Sequence, residues 1–212
     1  MSYFCSKCNE GVSQKVYDYS KKKFGDALCR DCQKDFPSKQ LKKKEESNGL
    51  TKRENFYKEG MIKGRIAETL IEELFLTLGY NVFRYGMENT VPGIMKLLKG
   101  VKTEVANDIR RMPDFVIQHP EKKDIYFIEI KFRKDETFDI NDKSLKNYPY
   151  QNTYFIVVSK KHIKCITYGE LEEGKVISPS SKNYLGSRKE FGLDKSVIID
   201  FCNFAVKFFE NV

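Results

Sequence analysis

The chain has 212 residues, 40% of them apolar and 32% charged, with 16 Phe, 12 Tyr and no Trp. That is a globular composition, long enough for one well-cored domain with a small satellite. Lys and Arg number 38 against 30 Asp and Glu, a formal charge of +8, which suits a polyanionic partner such as nucleic acid; an anionic membrane surface and plain solubility are the other readings. Apolar runs such as Phe155–Val158 fall far short of the roughly 18 residues that a membrane span needs. The start, MSYFCSKCNEG, holds no apolar signal core, so a cytoplasmic protein with reduced thiols and no membrane partner is expected.

Four of the six cysteines stand as Cys5-x2-Cys8 and Cys29-x2-Cys32, with 20 residues between the pairs. In a reducing compartment two such turns present four thiolates to one tetrahedral Zn²⁺. About 32 residues bury too little to fold alone, so the metal supplies the folding energy and the site is structural. A redox role fits less well, because no βαβ pattern surrounds either pair. Cys165 and Cys202 stand in apolar surroundings and read as core residues. Between the pairs Lys21, Lys22 and Lys23 lie beside Tyr17, Tyr19 and Phe24, a surface for phosphates or stacked bases or simply a solvated face. The stretch from Val16 to Gln33 resembles short zinc-binding segments appended to phage and archaeal DNA-processing proteins. The resemblance implies a zinc-ribbon or treble-clef-like module over residues 1–33.

Residues 34–53 lack apolar periodicity and carry seven Lys or Arg against three Asp or Glu, which marks a basic linker. The remaining domain, 54–212, opens on an amphipathic helix from Arg53 to Leu78, closed by Gly79, with Ile66, Ala67, Leu70, Ile71, Leu74 and Leu78 as its apolar stripe. There follow a strand at Tyr80–Tyr85, a partly helical insertion at Thr90–Arg111, and a hairpin of PDFVIQ and DIYFIEIKF joined through HPEKK. A short helix at Ile140–Asn147 precedes the strands TYFIVVS and IKCITY, and an apolar helix at Ser196–Phe209 closes the chain as a core element or a homodimer seam. This order predicts an α/β fold around one sheet.

One strand carries charge where an interior strand should not. Alternation places Ile125, Phe127, Glu129 and Lys131 on one face and Tyr126, Ile128, Ile130 and Phe132 on the other. Across the hairpin Asp114 begins its strand near where Glu129 and Lys131 end theirs, so two carboxylates and an ammonium converge. Oxygen ligands so placed suit Mg²⁺ or Mn²⁺. Glu-x-Lys occurs three times, at Glu121, Glu129 and Glu173, but only Glu129-Ile130-Lys131 sits in an apolar strand. It also follows the chain's single Pro-Asp by a gap that fits a hairpin.

Pro113-Asp114, then 14 residues, then Glu129-Ile130-Lys131 resembles the signature of the PD-(D/E)xK nuclease superfamily, over roughly residues 60–168. The resemblance implies a restriction-endonuclease-like core, a mixed central sheet flanked by helices, and metal-assisted phosphodiester hydrolysis. It assigns Asp114, Glu129 and the backbone carbonyl of Ile130 to a divalent ion, and Lys131 to the attacking water or the scissile phosphate. Many members add an acidic residue on the first core helix, often four after a glycine. Gly64 and Glu68 fit that spacing, about 40° apart around the helix, with Glu72 and Glu73 as alternatives. Arg110, Arg111, Arg133 and Lys134 flank the motif as phosphate contacts or solvated surface. Gln151 or Lys160 fits the further polar position that some members carry, or is plain surface.

The expected function is a Mg²⁺-dependent nuclease, DNA favoured over RNA, whose zinc module aids substrate or partner binding. A zinc-containing nucleic-acid-binding adaptor without cleavage is the alternative, and a salt bridge at a strand end is the structural one. Only two histidines exist, His119 and His162, and no Walker-type glycine loop appears, so multi-histidine chemistry and an intrinsic NTPase are not expected.

Overall fold

The computed structural model describes residues 3–36, 49–86 and 93–210. Most of the basic linker and part of the insertion, residues 37–48 and 87–92, lie outside the described residues. The chain divides into two compact units, 1–57 and 58–212. Among the described residues no helix is long and apolar enough to cross a membrane.

In the first unit, β1 (Tyr3–Phe4) and β2 (Gly11–Val12) form a minimal antiparallel hairpin. Helix α1 (Gln14–Phe24) follows and ends at Gly25, whose φ of 89° lets its N–H reach back to the Lys21 carbonyl. Helix α2 (Arg30–Lys34) starts from Cys29 as its N-cap. The core is small: Cys5, Phe24, Leu28 and Cys29, with Val12, Cys32 and Phe36 against them. Buried Ser20 ties α1 to the second cysteine turn, donating to the Asp26 carbonyl at 2.7 Å and accepting the Leu28 N–H at 2.9 Å.

The long helix α3 (Lys52–Thr77) opens on a capping box. Thr51 Oγ1 accepts the Glu54 N–H, and the Glu54 carboxylate accepts the Thr51 N–H at 3.0 Å. It closes where Gly79, φ 79°, lets the Tyr80 N–H bond the Phe75 carbonyl at 3.0 Å. Strand β3 (Asn81–Arg84) leads to the short helices α4 (Ile94–Leu97) and α5 (Glu104–Arg110), then to the hairpin of β4 (Phe115–Gln118) and β5 (Ile125–Phe132). Strands β6 (Thr153–Val158) and β7 (Ile163–Thr167), helix α6 (Tyr168–Glu172) and helix α7 (Lys195–Phe209) complete the unit.

The sheet order is β3-β4-β5-β6-β7, antiparallel except for the parallel pair β5–β6. The fold is therefore α/β with a five-stranded mixed sheet. The expected strands and long helices are present within a residue or two of their predicted ends; the segment at Ile140–Asn147 is not a helix. It forms only a 3₁₀ turn at Lys143–Leu145, because Asp139 and Asp142 turn their carboxylates onto the backbone. Asp139 accepts the Asn141 N–H at 2.7 Å and Asp142 the Ser144 N–H at 2.9 Å. Such local bonds compete with helical ones, and Asn147 at φ 55° with Pro149 beyond it ends any continuation.

The two sheet faces are covered unequally. Phe115, Ile117, Ile128, Ile130, Ile156, Val158 and Cys165 face the main core, which α3 fills with Ala67, Leu70, Ile71, Leu74 and Phe75 and α7 with Ile198, Phe201, Ala205 and Phe209. Each fully buried side chain of this kind contributes roughly 1.5–3 kcal/mol. Helix α7 thus serves as a core element, although Ile199, Phe204 and Phe208 on its other side stay exposed. On the opposite face, the 133–152 crossover and α6 cover β6 and β7 through Phe138, Leu145, Tyr148, Phe155, Val157, Ile166 and Leu171.

Candidate active site and a four-cysteine centre

Strand pairing brings the charged residues together. Phe115 pairs with Ile128, so Asp114 lies one step along the register, opposite Glu129. Asp114 Oδ2 accepts the Ile130 N–H at 2.7 Å, and Lys131 Nζ donates to Glu129 Oε1 at 2.5 Å. Burial and then the Glu129 charge push the Asp114 carboxyl well above its ordinary value; the Ile130 N–H and Lys131 offset this only in part. The bonds to Ile130 and Lys131 engage one oxygen of Asp114 and one of Glu129.

These groups line a pocket of about 380 Å³ together with Glu68, Arg110, Arg111 and Tyr148. The three acidic candidates on α3 are sorted by geometry. Glu68 lines the pocket and its charge reaches Asp114. Glu72 is held by a two-pronged ion pair with Arg84, Nε to Oε1 at 2.9 Å. Glu73 faces an apolar groove with Ile62 and Phe204.

The flanking cations divide as well. Arg110 lines the pocket but is tied to the Leu98 and Val101 carbonyls, the latter at 2.6 Å, stapling the insertion beside the site. Arg111 also lines it and bonds the Lys146 carbonyl. Arg133 lies elsewhere, paired with Asp142 at 2.6 Å and stacked over Phe138. Lys134 and Gln151 are exposed and outside the pocket, and Lys160 donates to the Glu210 carbonyl at 3.2 Å. The sequence reading missed Tyr148 and Ser144, pocket residues supplied by the crossover. Only the tyrosines before and after Pro149 hinted at them.

A second polar cluster also escaped the sequence reading. Glu136, at φ 56°, accepts from Ser159 Oγ at 2.8 Å, meets His162 Nδ1 at 2.9 Å, and pairs with Lys164 Nζ at 3.2 Å. The Lys164 side chain is 1% exposed. This network anchors the crossover to the β6–β7 turn.

In the first unit the four thiols are preassembled. The ligand atoms of Cys5, Cys8, Cys29 and Cys32 lie within 4.8 Å of one another, the one such group of three or more metal-ligating residues among the described residues. Burial resists ionisation of Cys5, but the Cys29, Cys8 and Lys7 backbone bonds outweigh it and bring the thiol down to about 6. Cys32, bonded to Cys29 and partly buried, is pushed up to about 12, and the Cys5 and Cys29 sulfurs beside Cys8 push its thiol up as well, as crowded sulfurs do without a cation between them. The quartet can hold a metal such as zinc. Lys21, Lys22 and Lys23 occupy the last turn of α1, with Lys23 bonded to the Tyr19 hydroxyl at 2.8 Å and Lys21 5.9 Å above the Tyr17 ring.

Comparison with known proteins finds no matching family model, curated protein or solved structure, so the reading of the site rests on its own geometry.

Proposed function

We propose that the chain is a divalent-metal-dependent nuclease, with a restriction-endonuclease-like core, that hydrolyses phosphodiester bonds, DNA being the favoured substrate. The observation that carries this reading is the pocket in which Asp114, Glu129, Lys131 and Glu68 meet at one end of the sheet. The donor set fits Mg²⁺ or Mn²⁺: hard carboxylate oxygens, with Asp114 raised by burial and by a second carboxylate that an opposing cation would relieve. Asp114, Glu129 and the Ile130 carbonyl would hold the ion, with Glu68 completing the site. A bound ion of this kind supplies Lewis acidity at the phosphate oxygens and makes water a better nucleophile.

The chain's own residues do the rest. Lys131, released from Glu129, orients the attacking water or neutralises the phosphate. Arg110 and Arg111 face the same cavity and offset substrate charge. Arg110, which staples Leu98 and Val101, and Tyr148 from the crossover both line the cavity and would shape how substrate enters it. The cysteine quartet, read as a zinc-ribbon or treble-clef-like module, serves as a structural grip on substrate or partner.

A second reading, a zinc-containing nucleic-acid binder without cleavage, is favoured by the direct Lys131–Glu129 contact and by carboxylates that do not meet within 4.8 Å. One experiment decides. Labelled duplex, single-stranded, flapped and four-way DNA, and RNA, are incubated with Mg²⁺, Mn²⁺ or EDTA, using wild type beside Asp114→Asn. Metal-dependent cutting that the variant lacks is expected; binding without cutting under both metals would sink the nuclease reading.

A further inference from the structure

An antiparallel sheet with one face toward water ordinarily alternates apolar inward with polar outward. Here the face of β3, β4 and β5 that carries Glu129 sets Phe83, Val116, Ile125 and Phe127 beside the polar pair Asn81 and Gln118. On the face that carries Glu129, the register aligns Phe83 with Val116 and Val116 with Phe127. The crossover covers the β6–β7 half of that face and reaches β5 through Tyr150 beside Phe127. Phe83 is therefore 58% exposed and Ile125 64%, while Phe127 is flanked by Tyr85 at 5.8 Å and Tyr150 at 5.5 Å between ring centroids. A row in which Phe83 and Ile125 are exposed and Val116, Phe127 and Tyr150 half-buried leaves room for an occupant.

Its position says which. Phe127 and Glu129 are two residues apart on one face, so about 7 Å separates the ring row from the pocket. The patch runs straight into a site with Lys131, Arg110 and Arg111 at its lining, in a chain of net charge +8. A protein seated on the rings would close the mouth of the pocket, whereas a base stacked there carries its own phosphate to it. Bases within a duplex have both π-faces occupied by neighbours, so only unpaired ones are free to stack on protein rings.

We propose that Phe83, Phe127 and Tyr150 form a stacking platform for unpaired nucleobases, and that the substrate presents a single-stranded stretch running across the sheet to the pocket. This rests on the reading of the pocket as a phosphodiester-cleaving site and names the substrate class for it.

The test uses the full chain carrying Asp114→Asn, with Mg²⁺ present, so that binding is read without cleavage. Fluorescence polarisation compares a 2-aminopurine-labelled single strand with a duplex of the same sequence, before and after adding Phe83→Ser and Phe127→Leu. The single strand is expected to bind at least about tenfold tighter than the duplex, with 2-aminopurine emission quenched on binding. Each ring removed should weaken the single strand by about tenfold and leave the duplex unchanged, with Phe127→Leu restoring the emission. An unchanged melting temperature shows that Phe127→Leu, which keeps the strand apolar, still folds. Equal or tighter duplex binding, or ring variants without effect on the single strand, overturns the platform. So does self-association of the chain that Phe83→Ser abolishes while single-strand binding stays the same. The two readings fail separately. Metal-dependent cleavage by wild type with indifferent ring variants keeps the nuclease and ends the platform. Ring-dependent single-strand binding with no cleavage under Mg²⁺ or Mn²⁺ keeps the platform and ends the nuclease.

Discussion

The two units of this chain handle clustered ligands in opposite ways. The first has a core of four buried residues, two of them cysteines, and its four thiols already stand within reach of one ion. The second has a twenty-residue core on one face of its sheet, and two of its pocket carboxylates are already engaged, Asp114 by the Ile130 N–H and Glu129 by Lys131. Where the fold is too small to stand without a cation, the ligands are assembled and the coordination is filled by protein. Where the core is larger, the acidic groups are partly engaged by protein donors, the arrangement expected of the proposed site that admits substrate.

The largest expected effect tests the dependent half of that contrast. Cys29→Ser with Cys32→Ser, or a strong chelator, should unfold residues 3–36, because a structural zinc contributes on the order of 10–16 kcal/mol. The amide spectrum of the sheet unit should stay dispersed; cooperative collapse of the whole chain would break the contrast. Next comes the chemistry of the independent half. Lys131→Ala should lower the cleavage rate by about 10²- to 10⁴-fold while changing substrate affinity little; equal losses in rate, affinity and melting temperature would instead mark a structural salt bridge.

A third variant probes how the sheet unit tolerates buried charge. Glu136→Ala leaves Lys164 buried without its carboxylate and should cost about 3 kcal/mol in urea denaturation. Adding Lys164→Met should recover most of it, and failure to recover would mean that the Ser159 and His162 bonds, or those of Lys164 to the Ser178 and Pro179 carbonyls, carry the network.

The smallest effect concerns Asp114 and has the less familiar sign. Its folded value is raised above the unfolded one, so ionisation destabilises the fold, and stability is gained as pH falls through the raised value toward the ordinary carboxylate range. Asp114→Asn should remove that pH dependence and raise the metal-free melting temperature near neutral pH by about 2–4 °C. A lowered melting temperature would show that the carboxylate stabilises the fold without a cation.

The sequence revealed these features unevenly, and for physical reasons. The hairpin and the Asp114–Glu129 juxtaposition were legible because strand alternation and a short turn are local, and Glu68 because the family resemblance places an acidic residue four after a glycine, here Gly64, on the first core helix. The cysteine pairs were legible because four soft ligands at that spacing have few other uses. What stayed hidden depends on contacts between distant segments. Arg133 reads as a free cation until the crossover folds back and sets Asp142 against it. Glu72 is drawn away by its two-pronged ion pair with Arg84, which arrives from β3. Within the crossover the stretch Ile140–Asn147 read as a short helix, but Asp139 and Asp142 accept from nearby backbone N–H groups instead.

The parallel pairing of β5 with β6 has a consequence for how this molecule acquires its site. Asp114 and Glu129 meet through a tight hairpin, which forms on the scale of microseconds. Tyr148 and Ser144 reach the same cavity only after β6 docks, with Phe127 finding Thr153 and no long helix to shorten the search. Loop-closure entropy opposes that longer-range step. The charged hairpin is therefore expected to form ahead of its wall, marginally stable until β6 docks. Substitutions that loosen the crossover will leave molecules whose acidic residues are correctly paired and whose cavity is unfinished, separating the acquisition of ligands from the acquisition of shape along the folding path.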